Sequence, residues 1–172
     1  MRMELIEVGQ IVNTHGVRGE MKLHPTGGFT PEFIAGFKTL YIDGVAIETT
    51  SRRVHGTVVL VTFPEVKDMD QALRYKGKFV SIRRKDAKLK KGEFFDAEVL
   101  GVKVLNYPLR QEVGTITAVL SYPAHKLYQV ENEKTRKKYL IPAVQDIFIV
   151  DTDIDEGTML VRMMEGLETD EN

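Results

Sequence analysis

At 172 residues and a formal net charge of -1, the chain can bury one core or two small ones without covalent staples. It contains no cysteine, which excludes disulfides, thiolate metal sites and cysteine nucleophiles. Acidic residues at Glu4 and Glu7 fall too early for a signal peptide, and no apolar run approaches the ~18 residues of a membrane span, so a cytoplasmic protein with no membrane partner is expected.

The small total conceals an asymmetry: residues 1–88 carry 14 Lys/Arg against 10 Asp/Glu, whereas residues 89–172 carry 10 against 15. Two runs contribute most, a basic one over 83–91 and an acidic one from 151 to the end. Such runs serve either as solvated linkers and tails, or as surfaces that meet nucleic acid with the basic half and a basic protein with the acidic half.

The first informative stretch is 8–25. Ile6, Val8, Ile11 and Val12 precede a His15-Gly16-Val17-Arg18-Gly19-Glu20 turn, after which Met21 and Leu23 alternate with Lys22 and His24. This predicts a β-hairpin. A Gly- and Pro-rich loop follows, with Thr30-Pro31 opening a short helical turn. Strands are predicted over 38–42, 45–54 and 57–63, the first two joined at Asp43-Gly44. A helix is predicted from Asp68, with Gln71 three residues on, Met69, Ala72 and Leu73 facing inward, and Gly77 as its stop; 78–82 returns as strand. Beyond the basic run, strands are predicted over 99–105, 113–120, 127–130, 139–141, 147–150 and 158–161, with 132–138 as a hairpin tip. The fold class is therefore all-β, two small β-barrels in tandem: residues 1–84, a basic linker 85–92, a second barrel over 93–167 and an acidic tail 168–172.

No catalytic constellation is visible. His15, His24, His55 and His125 are scattered with no metal-ligand spacing, and neither GxSxG nor a phosphate-binding glycine loop occurs. No enzyme activity, metal or cofactor is expected. His15 and Arg18 have two readings: they decorate a hairpin tip, or they contact RNA phosphates and bases, with Lys22, Arg52, Arg53 and His55 converging from neighbouring strand ends. Phe94 and Phe95 also have two. Adjacent residues on an extended segment face opposite ways, so one is expected outside its own core, as a wedge between the barrels or an anchor for a partner protein.

The run VGQIVNTHGVRGEMKLHPTGGFTPEFIAGFKTLYIDG resembles the opening of the ribosome maturation factor RimM family. RVHG at 53–56, DQALRYKG at 70–77, GEFFDAEVLGVKV at 92–104, Val113-Gly114-Thr115-Ile116, Leu140-Ile141-Pro142 and Glu165-Gly166-Leu167 are similar to its later motifs, in order and over nearly the whole chain. The resemblance implies an N-terminal RimM barrel like the second domain of translational GTPases, and a C-terminal PRC barrel. It also implies a monomeric, non-catalytic assembly factor that binds the small (30S) ribosomal subunit and its head protein, small-subunit ribosomal protein nineteen, and assists late 16S rRNA maturation. The family usually has paired tyrosines where this chain has Phe94 and Phe95, so any hydrogen-bonded role there is lost. Barrels of this kind also occur in flavin reductases and in membrane-complex modules. A bound chromophore would mark the first, sedimentation with membranes the second.

Overall fold

In the computed structural model, which describes residues 4–89 and 92–169, strand β1 (Leu5–His15) turns back through residues 16–19 into β2 (Glu20–Pro25). The apolar alternation of β1 is interrupted twice, because its register shifts against β7 (Phe79–Arg83) between Glu7 and Gly9 and against β2 between Ile11 and Asn13. Each bulge adds a residue without a partner and bends the strand. Val12 falls at the second one and is 38% exposed, whereas Ile6, Val8 and Ile11 are buried.

The remaining elements of this unit are α1 (Pro31–Ala35), β3 (Thr39–Ile42), β4 (Val45–Glu48), β5 (Ser51–His55), β6 (Val58–Thr62) and α2 (Met69–Leu73). Their sheet runs β4-β3-β7-β1-β2-β6-β5. Laid flat, it would hold β4 and β5 about 29 Å apart, six spacings of ~4.8 Å. Only Thr49 and Thr50 join those two edges, so the sheet must curl until they meet. These threonines form the seam: the amide and hydroxyl of Thr49 both donate to Lys38 O (2.9 and 2.8 Å), and those of Thr50 both donate to Thr62 O (2.8 and 3.1 Å). What the sequence presents as one strand over 45–54 is thus two, split where the chain passes between the sheet edges.

Both short helices begin as their caps dictate. Thr30 Oγ1 accepts from Phe33 N, and Asp68 Oδ1 accepts from Gln71 N. The inward face expected of α2 is only partly realised: Ala72 is buried, but Met69 and Leu73 are 41% and 42% exposed. The three positions share one helix face, and the fold covers that face at Ala72 while leaving it partly open at Met69 and Leu73.

The described residues divide into two units between Lys88 and Leu89. The start of the expected linker is ordered: Arg84–Ala87 form a 3-10 turn, and Arg83 pairs with Asp86 at 3.0 Å. Lys90 and Lys91 lie outside the described residues. In the second unit Val99 ends a helix, α3 (Asp96–Val99), instead of opening a strand, and Gly101 at φ +83 turns the chain into β8 (Lys103–Asn106). Then come β9 (Gln111–Ser121), β10 (Lys126–Glu131), β11 (Lys138–Pro142), β12 (Ile149–Asp153), β13 (Thr158–Val161) and β14 (Glu168–Thr169), ordered β12-β13-β8-β9-β10-β11-β14. The acidic tail is therefore not wholly a tail, since Glu168 and Thr169 pair with Tyr139 and Lys138; residues 170–172 lie outside the described residues. This sheet curls too. The 143–148 connection spans from β11 to β12 at the opposite edge, and it turns back on itself as Phe148 N and Ile149 N both donate to Val144 O.

The core of the second unit gathers Val99, Val102, Val104, Ile116, Val130, Ile141, Ile149, Ile154, Met159 and Val161. The alternation expected of Phe94 and Phe95 has no strand to act on. Phe94 packs, half-buried, against this core, and Phe95 is only 9% exposed. The alternation rule requires a strand, and here the chain is already turning: Phe95 is the N-cap residue of α3.

Replacing Thr49 with Val keeps the shape of the seam but removes a hydroxyl that donates to Lys38 O and accepts from Arg52 Nη1 at 2.7 Å. A loss of roughly 1–3 kcal/mol is expected. It should appear in denaturant unfolding of the first unit, with the second unit's transition unchanged.

Candidate nucleic-acid interface

The two faces of the first sheet are distinguished by register. Across β2, β6 and β5 the partners are Lys22, Leu60 and Arg53 in one row, and Met21, Val61 and Arg52 in the next. Cross-strand partners share a face and successive residues alternate, so Arg53 and Lys22 lie on one face while Arg52 lies on the other. The hydrogen bonds agree. Arg52 Nε donates to Ala35 O at 3.0 Å and its Nη1 to Thr49 Oγ1, so this side chain ties α1 to the seam and stands apart from the other basic residues.

On the outer face, Arg53 grips Glu20 through two parallel bonds, Nε to Oε2 at 3.2 Å and Nη2 to Oε1 at 3.1 Å. His15 is the cross-strand partner of Glu20, and its ring centre lies 5.5 Å from that of His55. Lys22, one pleat along from Glu20, completes the row. Leu60 has no exposure although its face is the polar one, and the aliphatic stems of Lys22 and Arg53 flank it in register. Of the six basic residues singled out in the sequence, the structure brings His15, Lys22, Arg53 and His55 onto one face, puts Arg18 on the exposed turn beside it, and sends Arg52 to the opposite side.

Glu20 is the member that sequence reasoning missed. A carboxylate next to the turn glycine reads as hairpin decoration, but here it is the hub: the Arg53 hydrogen bond holds its carboxyl below the usual range, partial burial opposes that shift, and the Arg53, His15 and His55 charges add to it. The guanidinium of Arg53 is raised in turn, chiefly by its hydrogen bond to Glu20. Two of the five N–H groups of Arg53 are engaged, which leaves donors for an anion on its solvent side.

The turn that carries Arg18 is fixed from beneath. Gly19 has φ +98, and a Cβ there would stand 2.6 Å from Val66 O, so only glycine fits. Val17, at the tip, is 70% exposed. The result is a braced loop that offers one cation and one apolar side chain to a partner, at the edge of a face bearing two imidazoles, an ammonium and a guanidinium. Planar rings and forked donors of this kind suit stacked bases and phosphates.

Comparison with known proteins follows the two-unit division. Residues 6–87 match the family model of the RimM N-terminal domain, and residues 96–167 match that of the RimM PRC barrel domain. The chain belongs to the RimM family. It is 32% identical over 171 residues to a protein named ribosome maturation factor RimM from Desulforamulus reducens, covering 97% of this chain and 99% of that one. A protein of the same name from Bacillus cytotoxicus is 33% identical over 167 residues, covering 93% and 96%. Among solved structures, a crystal structure of a 16S ribosomal RNA processing protein RimM from Pseudomonas aeruginosa aligns over 94% of this chain and 98% of its own, with 22% identity and a TM-score of 0.45. The RimM PRC barrel model thus begins at Asp96, just after the half-buried Phe94 and the buried Phe95.

The Glu20–Arg53 pair has a pH signature. A carboxyl whose folded pKa lies below its unfolded one stabilises the fold above the unfolded value, and that contribution disappears as pH falls through the folded value. A Glu20→Gln variant should therefore be less stable than the parent at neutral pH. The gap should close as both are taken below the ordinary carboxylate range in thermal melts at stepped pH.

Proposed function

We propose that this RimM-family chain is a non-enzymatic factor that binds the immature small (30S) ribosomal subunit. In this reading the outer face of the first unit contacts 16S rRNA, and the acidic second unit holds a basic protein of the subunit head, small-subunit ribosomal protein nineteen. Membership of the family supports a role in ribosome and 16S rRNA maturation. The observation that carries the RNA assignment is the gathering of His15, Lys22, Arg53 and His55 on one exposed face with Arg18 at its rim.

The chemistry is recognition alone. Arg18 and Lys22 supply charge for phosphates, Arg53 supplies the donors that Glu20 leaves over, and the paired imidazoles supply flat surfaces for bases. Glu20 keeps the Arg53 fork from collapsing onto the sheet and repels RNA that fails to seat squarely, so it contributes selectivity at some cost in affinity. A factor of this kind acts by differential affinity: it binds one arrangement of the subunit head better than its competitors and raises that population to the same degree. It acts as a monomer in the cytoplasm and departs when later contacts complete the subunit.

The test uses Arg18→Ala and Arg53→Gln, the latter chosen because Gln keeps part of the stem over Leu60. Each should weaken binding to immature small subunits and lower the slope of log K against log salt by about 0.7–0.9 for every phosphate that is no longer neutralised. Arg52→Gln, on the opposite face, should leave the slope unchanged while lowering stability. Equal slopes for all three folded variants would remove RNA from this face.

A further inference from the structure

An exposed apolar surface on the second unit is not used by any of the roles above. Four large apolar side chains there are unusually open: Leu109 is 75% exposed, Ile147 54%, Met164 47% and Tyr107 44%. They belong to segments far apart in sequence that Arg162 draws together. Its backbone amide donates to Phe148 O at 2.8 Å, its Nη1 donates to Asp146 O at 3.1 Å, and its guanidinium stands 5.3 Å from the Tyr107 ring centre. Tyr107 N in turn donates to Val161 O at 2.8 Å. The β8–β9 turn and the loop before β12 are therefore held side by side, with their apolar residues presented to solvent on a rigid base.

The border of this surface is acidic. Next to Leu109, Arg110 lines a shallow cavity of about 180 Å³ together with Asp151, Asp153, Glu156, Thr158 and Leu160. The three carboxylates face one guanidinium, so the cavity keeps a negative balance, and β12 carries it directly on from Ile147. An apolar centre with a Tyr and an Arg, ringed by carboxylates, has the composition of a protein-binding hot spot suited to a basic partner.

We infer that the surface formed by Tyr107, Leu109, Ile147 and Arg162, with its Asp151–Asp153–Glu156 border, is the docking site for a Lys/Arg-rich protein segment that inserts an apolar side chain between the two turns. This rests on the proposed binding of a basic ribosomal protein and assigns it to a surface other than Phe94, which is half-buried against the core, and Phe95, which is only 9% exposed. The carboxylates give long-range attraction and the apolar centre gives residence time, so the two parts should separate kinetically.

The experiment measures association and dissociation rates of the full chain with purified basic proteins of the small-subunit head, offered one at a time. Leu109→Glu should raise the dissociation rate of the bound protein by roughly tenfold or more. Because Leu109 points into water, its melting temperature should not change. Asp151→Asn combined with Asp153→Asn should instead lower the association rate and flatten its salt dependence. If the parent chain binds and both variants bind with parental kinetics, this surface assignment is overturned while the function stands. If the parent binds none of the basic proteins, the reading beneath it fails and takes the surface with it. A parent that sediments as a dimer and a Leu109→Glu variant that sediments as a monomer would show that the occupant is a second copy of this chain, which also overturns the inference.

Discussion

The first unit depends on a covalent constraint more than on any single contact. Two residues, Thr49 and Thr50, must connect the opposite edges of a seven-stranded sheet, and no flat arrangement allows it. Closure has two consequences. It buries a row of β-branched and aliphatic residues on the concave side, among them Leu23, Leu40, Val59 and Ile82, each contributing on the order of 1.5–3 kcal/mol on burial. It also leaves a convex face on which every second residue of β1, β2 and β5 must meet solvent. Arg52 reinforces the seam from within through Thr49 and Ala35, which is why one of two adjacent arginines is structural and the other faces outward.

Much of this was legible in the residues. Turn chemistry at Asp43-Gly44 and His55-Gly56, capping by Thr30 and Asp68, and the two-residue period of 21–24 all give the observed elements. The departures have physical causes. Thr49-Thr50 reads as strand because both residues are β-branched, and nothing local announces that the sheet edges change there. Val99 lies in an apolar stretch, but Gly101 ends that stretch in a left-handed turn. Period-2 alternation does not apply at Phe94-Phe95, where the chain forms no strand, and holds at Arg52-Arg53, where a strand sends the two guanidinium groups to opposite faces.

The candidate site was only half visible for a related reason. Charges and rings can be counted along a sequence, yet which of them meet is decided by register across strands far apart in the chain, as Glu20 and Arg53 are at 33 residues. The hub of that cluster is an acid, and a search for basic residues passes over it. The surface held by Arg162 was invisible for the opposite reason: its members are ordinary loop residues, and it takes the backbone amide and the guanidinium of Arg162 together to make neighbours of them.

The two units have fields of opposite sense and separate surfaces, which suits a factor that bridges RNA and a basic protein during assembly. Such a factor must prefer the unfinished particle, since equal affinity for both states would shift no population. The direct measurement is co-sedimentation of the full chain with small subunits from an assembly-delayed culture and with completed ribosomes, at matched concentration and ionic strength. The account predicts that the chain travels with the immature subunits and is absent from the completed ribosomes. Equal amounts on both would contradict it.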